Sequence, residues 1–277
     1  VVNVILNLFF VIVCHLGVAG VALASMISQF ISAFLILRAL LTGKEKYCLR
    51  LSEIRFDKRK AVGILQIGIP SAFQYSLFAF ANLFVQSSVN SFDHVLVEGN
   101  SAAANADPLV YDMMAAFYTA CSSFIAQNFG ARKKKRILQT YLICLFYSFI
   151  TSLVLGVGIY LARYPFLYLF TSDKAVVEAG ITRLSIMALS YSASAFMDAS
   201  IAASRGLGKT AVPTFVVVMG SCVFRIIWIY TIFAYFHTIQ SLYILYVFSW
   251  GITAIAENIY FFHVYRHTLT GKTESHL

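Results

Sequence analysis

The sequence predicts an all-α polytopic membrane protein, and three observations carry that reading. Of its 277 residues 60% are hydrophobic and 12% charged, where a soluble globular domain carries roughly a quarter charged residues. Mean hydropathy is +0.77. Apolar stretches near the length of about 20 residues that a helix needs to cross a bilayer recur at 18–41, 61–92, 102–128, 137–162, 176–204, 211–236 and 239–265. Basic residues crowd into every second gap between them. The alternating apolar-out, polar-in pattern of a membrane β-barrel is missing.

Taken in order, residues 1–14 are apolar but short, and the chain opens at Val1. They are expected to be the surviving part of a further helix, and the polypeptide to be a piece of a longer one. Helix 18–41 returns across the membrane. Residues 42–60 form the one long polar connection, rich in Lys, Arg and Glu. A domain boundary is expected there: residues 1–41 as the remnant of one bundle, 42–60 as a cytoplasmic linker, and 61–277 as a six-helix lobe. Six spans after a charged loop suit half of a two-lobed, repeat-built architecture. A weak internal echo agrees. His15-Leu16-Gly17 overlies His237-Thr238-Ile239 without gaps, and in that register Asn3 falls where Arg225 falls.

The net charge of +9 raises nucleic acid as a partner, but its distribution argues against it. Lys44, Lys46, Arg50, Arg55, Lys58, Arg59 and Lys60 share one loop, and Arg132, Lys133, Lys134, Lys135 and Arg136 another. Arg205 and Lys209 sit in a third, with Arg266 and Lys272 near the C-terminus. The loops around 15–20, 93–98, 163–178 and 237–241 are poor in basic residues. Such alternation is the positive-inside pattern. It places the basic loops and the C-terminus in the cytoplasm of a multi-pass protein of the plasma (inner) membrane. Anionic lipid headgroups are the expected partners of these charges.

Cys14, Cys48, Cys121, Cys144 and Cys222 show neither CxxC nor metal-ligand spacing, and core packing is their expected role. The histidines lie near helix ends without ligand spacing, so no metal site is expected. No Walker loop is present, which disfavours ATP-driven transport by this polypeptide. No enzyme and no cofactor emerge.

Four strings, in order, resemble one transporter family. Gly17-Val18-Ala19-Gly20-Val21-Ala22-Leu23-Ala24-Ser25 resembles the junction of helices five and six in the multidrug and toxic compound extrusion (MATE) family. Gly68-Ile69-Pro70 is similar to the start of its helix seven. Ile125-Ala126-Gln127-Asn128-Phe129-Gly130-Ala131, with the basic run behind it, resembles the motif after helix eight. Arg205-Gly206-Leu207-Gly208-Lys209-Thr210, with Pro213 beyond, is similar to the loop between helices ten and eleven. The resemblance covers essentially the whole chain. It implies a twelve-helix exporter of two six-helix lobes. This chain would carry the C-terminal lobe and two helices, one truncated, of the N-terminal lobe. Transport would need the missing N-terminal lobe, so none is expected from these residues alone.

The implied function is secondary multidrug export by alternating access, exchanging Na⁺ or H⁺ for small organic, often cationic, compounds. A lipid-linked saccharide flippase of the same superfamily is the alternative, as is a non-functional truncated remnant. A flippase would be expected to line its cavity with several basic residues, whereas Arg225 stands nearly alone within the spans. Two departures matter. Some members carry a cation-binding glutamate eight residues after the helix-seven proline, where this chain has Phe78. They also place an aspartate eleven residues before the Arg-Gly loop. Here that position is Ser194, with Asp198 one turn later.

A charge at the bilayer centre costs roughly 2.5–3.5 kcal/mol on insertion scales and usually faces the protein interior. Asp198, Asp112 and Glu257 are the candidate ion-coupling residues, with Arg225 as an ion-pair partner. At 1.5 Å per residue, Asp198, Glu257 and Arg225 lie about 10, 13 and 18 Å from the cytoplasmic helix ends. Arg225 is therefore expected to pair with Asp198 or Glu257. Asp198 either couples transport to an ion or merely neutralises Arg225. Glu257 is expected to snorkel to water, and Asp112 to face an outer vestibule.

Polar residues at helical spacing mark the faces that would line a substrate cavity. Ser71, Tyr75, Asn82 and Gln86 share one face, Asn105 and Asp112 another, and Ser190 and Ser194, with Met197 beside them, a third. Phe78, Phe80, Phe117 and Tyr118 would add adaptable aromatic contacts. Pro70 is expected near a helix start, and Gly130 as a C-cap.

Overall fold

The computed structural model describes residues 1–42 and 48–267. Seven helices are long and apolar enough to cross a membrane, and no strand occurs among the described residues. Lys44, Lys46 and Lys272, three of the basic positions named above, lie outside the described residues. The chain divides into two compact units, Val1–Ala61 and Val62–Leu277.

In the first unit, α1 (Val2–Leu8) passes into one π-helical turn (Phe9–Val13) and reverses at His15, whose φ is +53°. Helix α2 (Gly17–Thr42) runs back. Asn3 Nδ2 donates to Ser25 Oγ and Ser28 Oγ, both at 3.3 Å, so a polar clasp joins the two helices. Beyond α2 the chain turns back on its end, with Leu49 N donating to Leu40 O at 2.8 Å.

The second unit contains α3 (Lys58–Val89, whose first turn belongs to the first unit), α4 (His94–Ala104) and α5 (Ala106–Gly130). It continues with α6 (Lys134–Leu161), the short α7 (Arg163–Tyr168) and α8 (Lys174–Gly206). Next come α9 (Ala211–Val217), α10 (Phe224–Trp228) and α11 (Ala234–Phe236), joined by π turns at Val218–Val223 and Ile229–Phe233. Helix α12 (Ile239–His267) closes the unit. Helices α4 and α5 form one span, and α9–α11 another.

Helix α8 is the axis. Its most apolar window is 67% buried, against 22% or less for α3, α4–α5 and α6. Small residues allow the close approach, as is usual between membrane helices. A Cβ at Gly156 of α6 would stand 2.1 Å from Ala188 O of α8, so only glycine fits there. Around α8 pack Val110, Met114, Met187, Tyr191, Met197, Val217 and Trp250 in one cluster, and Cys121, Ile125, Ile137, Tyr141, Ala203 and Phe261 in another.

The last hairpin echoes the first. It too carries a π turn before its reversal, and His237 is left-handed at φ +46° as His15 is. Each hairpin also sends a polar side chain, Asn3 or Arg225, to serines on the helix that follows. The repeat register read from the sequence thus has a physical counterpart in turn geometry.

Three local expectations need correction. Helix α3 starts at Lys58, so Pro70 is internal rather than near a helix start. A proline has no N–H for the carbonyl four residues back, and Thr210 Oγ1 donates to that carbonyl, Gln66 O, at 3.4 Å. The left-handed residue that ends α5 is Arg132 (φ +55°), not Gly130. The expected span 102–128 begins at His94, because the Asp93 carboxylate accepts Leu96 N at 3.0 Å and nucleates a helix earlier. That span breaks at Asn105, whose Nδ2 donates to Ser101 O and Ala102 O at 3.1 Å. Pro108 follows at the third position of α5, where its missing N–H breaks no helical bond.

Candidate functional site

Arg225 lies on α10 between the two π turns and is fully buried. Its Nη1 donates to Asn82 Oδ1 at 2.7 Å and its Nε to Ser249 Oγ at 3.2 Å. The guanidinium lies 4.7 Å from the centroid of Phe78 and 4.6 Å from that of Tyr246, both within cation–π range. Nη2 has no protein partner. The expected pairing with Asp198 or Glu257 is therefore corrected. Among the described residues the ion pair found belongs to another arginine, and Arg225 is held by neutral dipoles and two rings.

Below Arg225 a buried polar file follows α12. Thr253 Oγ1 donates to Ser249 O at 2.7 Å and lies 3.1 Å from Ser221 Oγ. Gly220 makes room for it, since a Cβ there would stand 2.4 Å from Thr253 Oγ1. One turn further along α12 comes Glu257, with 0% exposure and no protein partner for either carboxylate oxygen. The expectation that it snorkels to water is wrong. At about 13 Å from the helix end, on the face that packs inward, its short side chain does not reach the surface. Asp198, on α8, is half-buried, and its Oδ2 also has no protein partner.

At the end of α8, Arg205 Nη2 and, on α9, Thr214 Oγ1 both donate to Gln74 Oε1, at 3.1 and 3.3 Å. Together with Thr210 on Gln66 O, these bonds tie the Arg205–Thr214 segment to the proline-interrupted stretch of α3.

A second charged cluster escaped the sequence reading. Arg183 Nη2 meets Asp107 Oδ2 at 2.6 Å, and Tyr191 OH donates to Asp107 Oδ1 at 2.5 Å. Arg183 Nη1 donates to Asn100 Oδ1 at 2.7 Å. This network locks the α4–α5 break to α8. Its signal was present in the sequence: an arginine inside window 176–204 and an aspartate beside Pro108 inside window 102–128 are opposite charges in neighbouring apolar stretches. Arg225 is consequently not alone among arginines within the spans.

The other candidates fall on two layers. Tyr75, Asn82, Gln86, Asn105 and Asp112 are exposed on the lobe surface, and Ser71 is partly so. Gln86 Nε2 donates to Asn90 Oδ1 at 2.9 Å along the α3 face. Ser190, Ser194 and Met197 are buried in the core, where the two hydroxyls return to Ile186 O and Tyr191 O of their own helix. A groove of about 610 Å³ between α8 and α12, lined by Ser192, Phe196, Gly251, Ile255 and Asn258, contains none of the sequence candidates.

A bundle of membrane-length helices with ionisable side chains held between them is a polytopic membrane protein with a polar interior. Residues 70–231 match the family described as MatE, and the chain belongs to that family. It is 24% identical over 204 residues to the probable multidrug resistance protein NorM of Thermotoga maritima, which covers 72% of this chain and 43% of the relative. It is 26% identical over 181 residues to the probable multidrug resistance protein YoeA of Bacillus subtilis, which covers 64% of this chain and 39% of that one. The chain thus spans less than half the length of these curated relatives.

Among solved structures, a MOP-superfamily transporter from Pyrococcus furiosus superposes with a TM-score of 0.88 at 20% identity, over 96% of this chain and 60% of that one. It is described as having a binding pocket of reverse polarity. An outward-facing multidrug resistance MATE transporter gives 0.87 at 20% identity, again over 96% and 60%. At this level of identity the structural likeness shows the fold.

Proposed function

We propose that the chain is the C-terminal lobe and part of the N-terminal lobe of a secondary exporter. Such a protein exchanges Na⁺ or H⁺ for small organic compounds by alternating access, with its basic loops and C-terminus on the cytoplasmic side of the inner membrane. The observation that carries the ion-coupled reading is the state of two carboxylates on the packed helices α8 and α12. Asp198 Oδ2 and both oxygens of Glu257 are buried without protein partners. An ionised carboxylate in that position costs several kcal/mol unless a cation compensates it, and a bound proton or Na⁺ supplies the compensation. Asp112, exposed on α5, has no such need and takes a lesser part. Cationic organic compounds suit the acidic side chains on this lobe, while the aromatic rings on α3 offer broad contacts.

The test is efflux of a cationic dye from everted vesicles carrying the full-length transporter, energised by either an Na⁺ or a pH gradient. Asp198→Asn and Glu257→Gln are compared with wild type at equal abundance. Loss of gradient-driven efflux in Glu257→Gln or Asp198→Asn supports coupling there. Full efflux in both sinks it. A lipid-linked saccharide flippase would carry several uncompensated basic side chains in its spans. Arg225 meets that description, whereas Arg183 is neutralised by Asp107, so export is the better reading.

A further inference from the structure

We infer that Asn82, charged from behind by Arg225, is a recognition point for an anionic group, a carboxylate or a phosphate, on an amphiphilic ligand. The inference rests on the transport reading only for its biological setting, since the site itself is read from geometry. Arg225 is a buried cation with no carboxylate within ion-pair distance among the described residues. Its partners are one amide oxygen, one hydroxyl and the faces of two rings. These hold the charge without neutralising it, and Nη2 remains without a partner.

The consequence appears at Asn82. Arginine has donors only, so the oxygen of Asn82 must face it and the Nδ2 amide must point the other way. Asn82 is exposed, and its outward N–H groups are polarised by the cation behind them. Phe78 and Tyr75, four and seven residues before Asn82 on the same helix, share that face. An acceptor that takes the amide protons while a hydrophobic body lies along the rings matches this arrangement. A negative charge also compensates Arg225 across a single residue. Asn82 would touch the ligand, and Arg225 would act as a positioning residue through it.

The experiment is fluorescence-anisotropy binding of a carboxylate-bearing rhodamine and of its ethyl ester to the full-length protein in a neutral detergent. The acid is expected to bind about tenfold more tightly than the ester, the size of one added charge-assisted hydrogen bond. Raised salt should leave that ratio standing, because Arg225 is buried and the basic loops are not. Asn82→Asp places a carboxylate against Arg225, so the variant folds but the charge is spent internally, and the preference should vanish or reverse. Arg225→Lys should keep part of the preference and Arg225→Gln should lose it.

Equal affinity of acid and ester in the wild type overturns the inference. So does a preference that survives N82D, or one that disappears with salt. Repeating the titration in nanodiscs with and without phosphatidylglycerol separates two sources of the anion. Competition by the lipid assigns the site to a headgroup, and an unchanged preference assigns it to a soluble ligand. Binding is read without transport, so failure of ion coupling in the Asp198 and Glu257 variants leaves this result independent.

Discussion

Replacing Asp107 by alanine removes the counter-ion of a buried arginine and should be strongly destabilising. The Arg183 side chain is 8% exposed and that of Asp107 30%. Breaking a fully buried pair costs about 3–5 kcal/mol, because the remaining charge is left uncompensated. Partial exposure of Asp107 lets solvent screen the interaction, which lowers the expected loss to about 2–4 kcal/mol. Tyr191 loses its acceptor at the same time. For a domain of this size each kcal/mol shifts Tm by about 2–4 °C, so Asp107→Ala should melt about 5–15 °C lower.

The assay is thermal unfolding of the detergent-solubilised full-length protein, followed by the loss of the monodisperse peak on size exclusion. Asp107→Asn keeps an acceptor for Tyr191 and removes the charge alone, so its loss should be smaller by about 1 kcal/mol. Asp107→Leu with Arg183→Met removes both charges and should recover most of the stability. An Asp107→Ala protein melting within about 2 °C of wild type, or a double variant no better than the single, would refute the argument.

Three further outcomes follow from named contacts. Thr210→Val removes the hydroxyl that serves Gln66 O above Pro70 and should cost about 1 kcal/mol in the same melt. Gly156→Val forces a side chain against Ala188 O. Overpacking typically costs about 1–3 kcal/mol, and the absence of space here puts it at the upper end, read as a reduced yield of monodisperse protein. Arg225→Met should cost less than Asp107→Ala although Arg225 is more deeply buried, because its removal orphans two neutral dipoles and no charge. A larger loss in Arg225→Met would show a counter-ion that the geometry lacks.

The spans were legible because their signal, about 20 apolar residues between charged turns, is a property of composition that neighbours cannot overrule. Helix breaks were less so. Asn105 and Pro108 sit inside one apolar window, and nothing in their hydropathy says that the chain kinks rather than continues. The charged residues within the spans were legible in part, Arg225, Asp198 and Glu257 by position, but their pairings were not. Depth counted along a helix put Arg225 near the level of Asp198 and Glu257. Which residues meet depends on helix rotation about α8, and rotation is set by contacts such as Gly220 against Thr253 that a single chain of letters does not display. The same ignorance of rotation hid Arg183 and Asp107, two positions that make sense only as a pair.

The two arginine clusters differ in whether the protein supplies a counter-ion. Arg183 has a counter-ion from its own protein: a carboxylate at 2.6 Å that it shares with a tyrosine, beside an amide oxygen at 2.7 Å, with Nε alone left without a partner. A ligand could only weaken that network, so its use is to hold α4, α5 and α8 in one geometry. Arg225 and Glu257 have no oppositely charged group within ion-pair distance among the described residues, and the Oδ2 of Asp198 has no hydrogen-bond partner. A fold that pairs one buried charge has no physical obstacle to pairing the others, and an unpaired charge inside a membrane costs stability. On the proposed reading, the missing partners of these residues come from outside the chain: a cation for the carboxylates, an anionic group for the amide in front of Arg225.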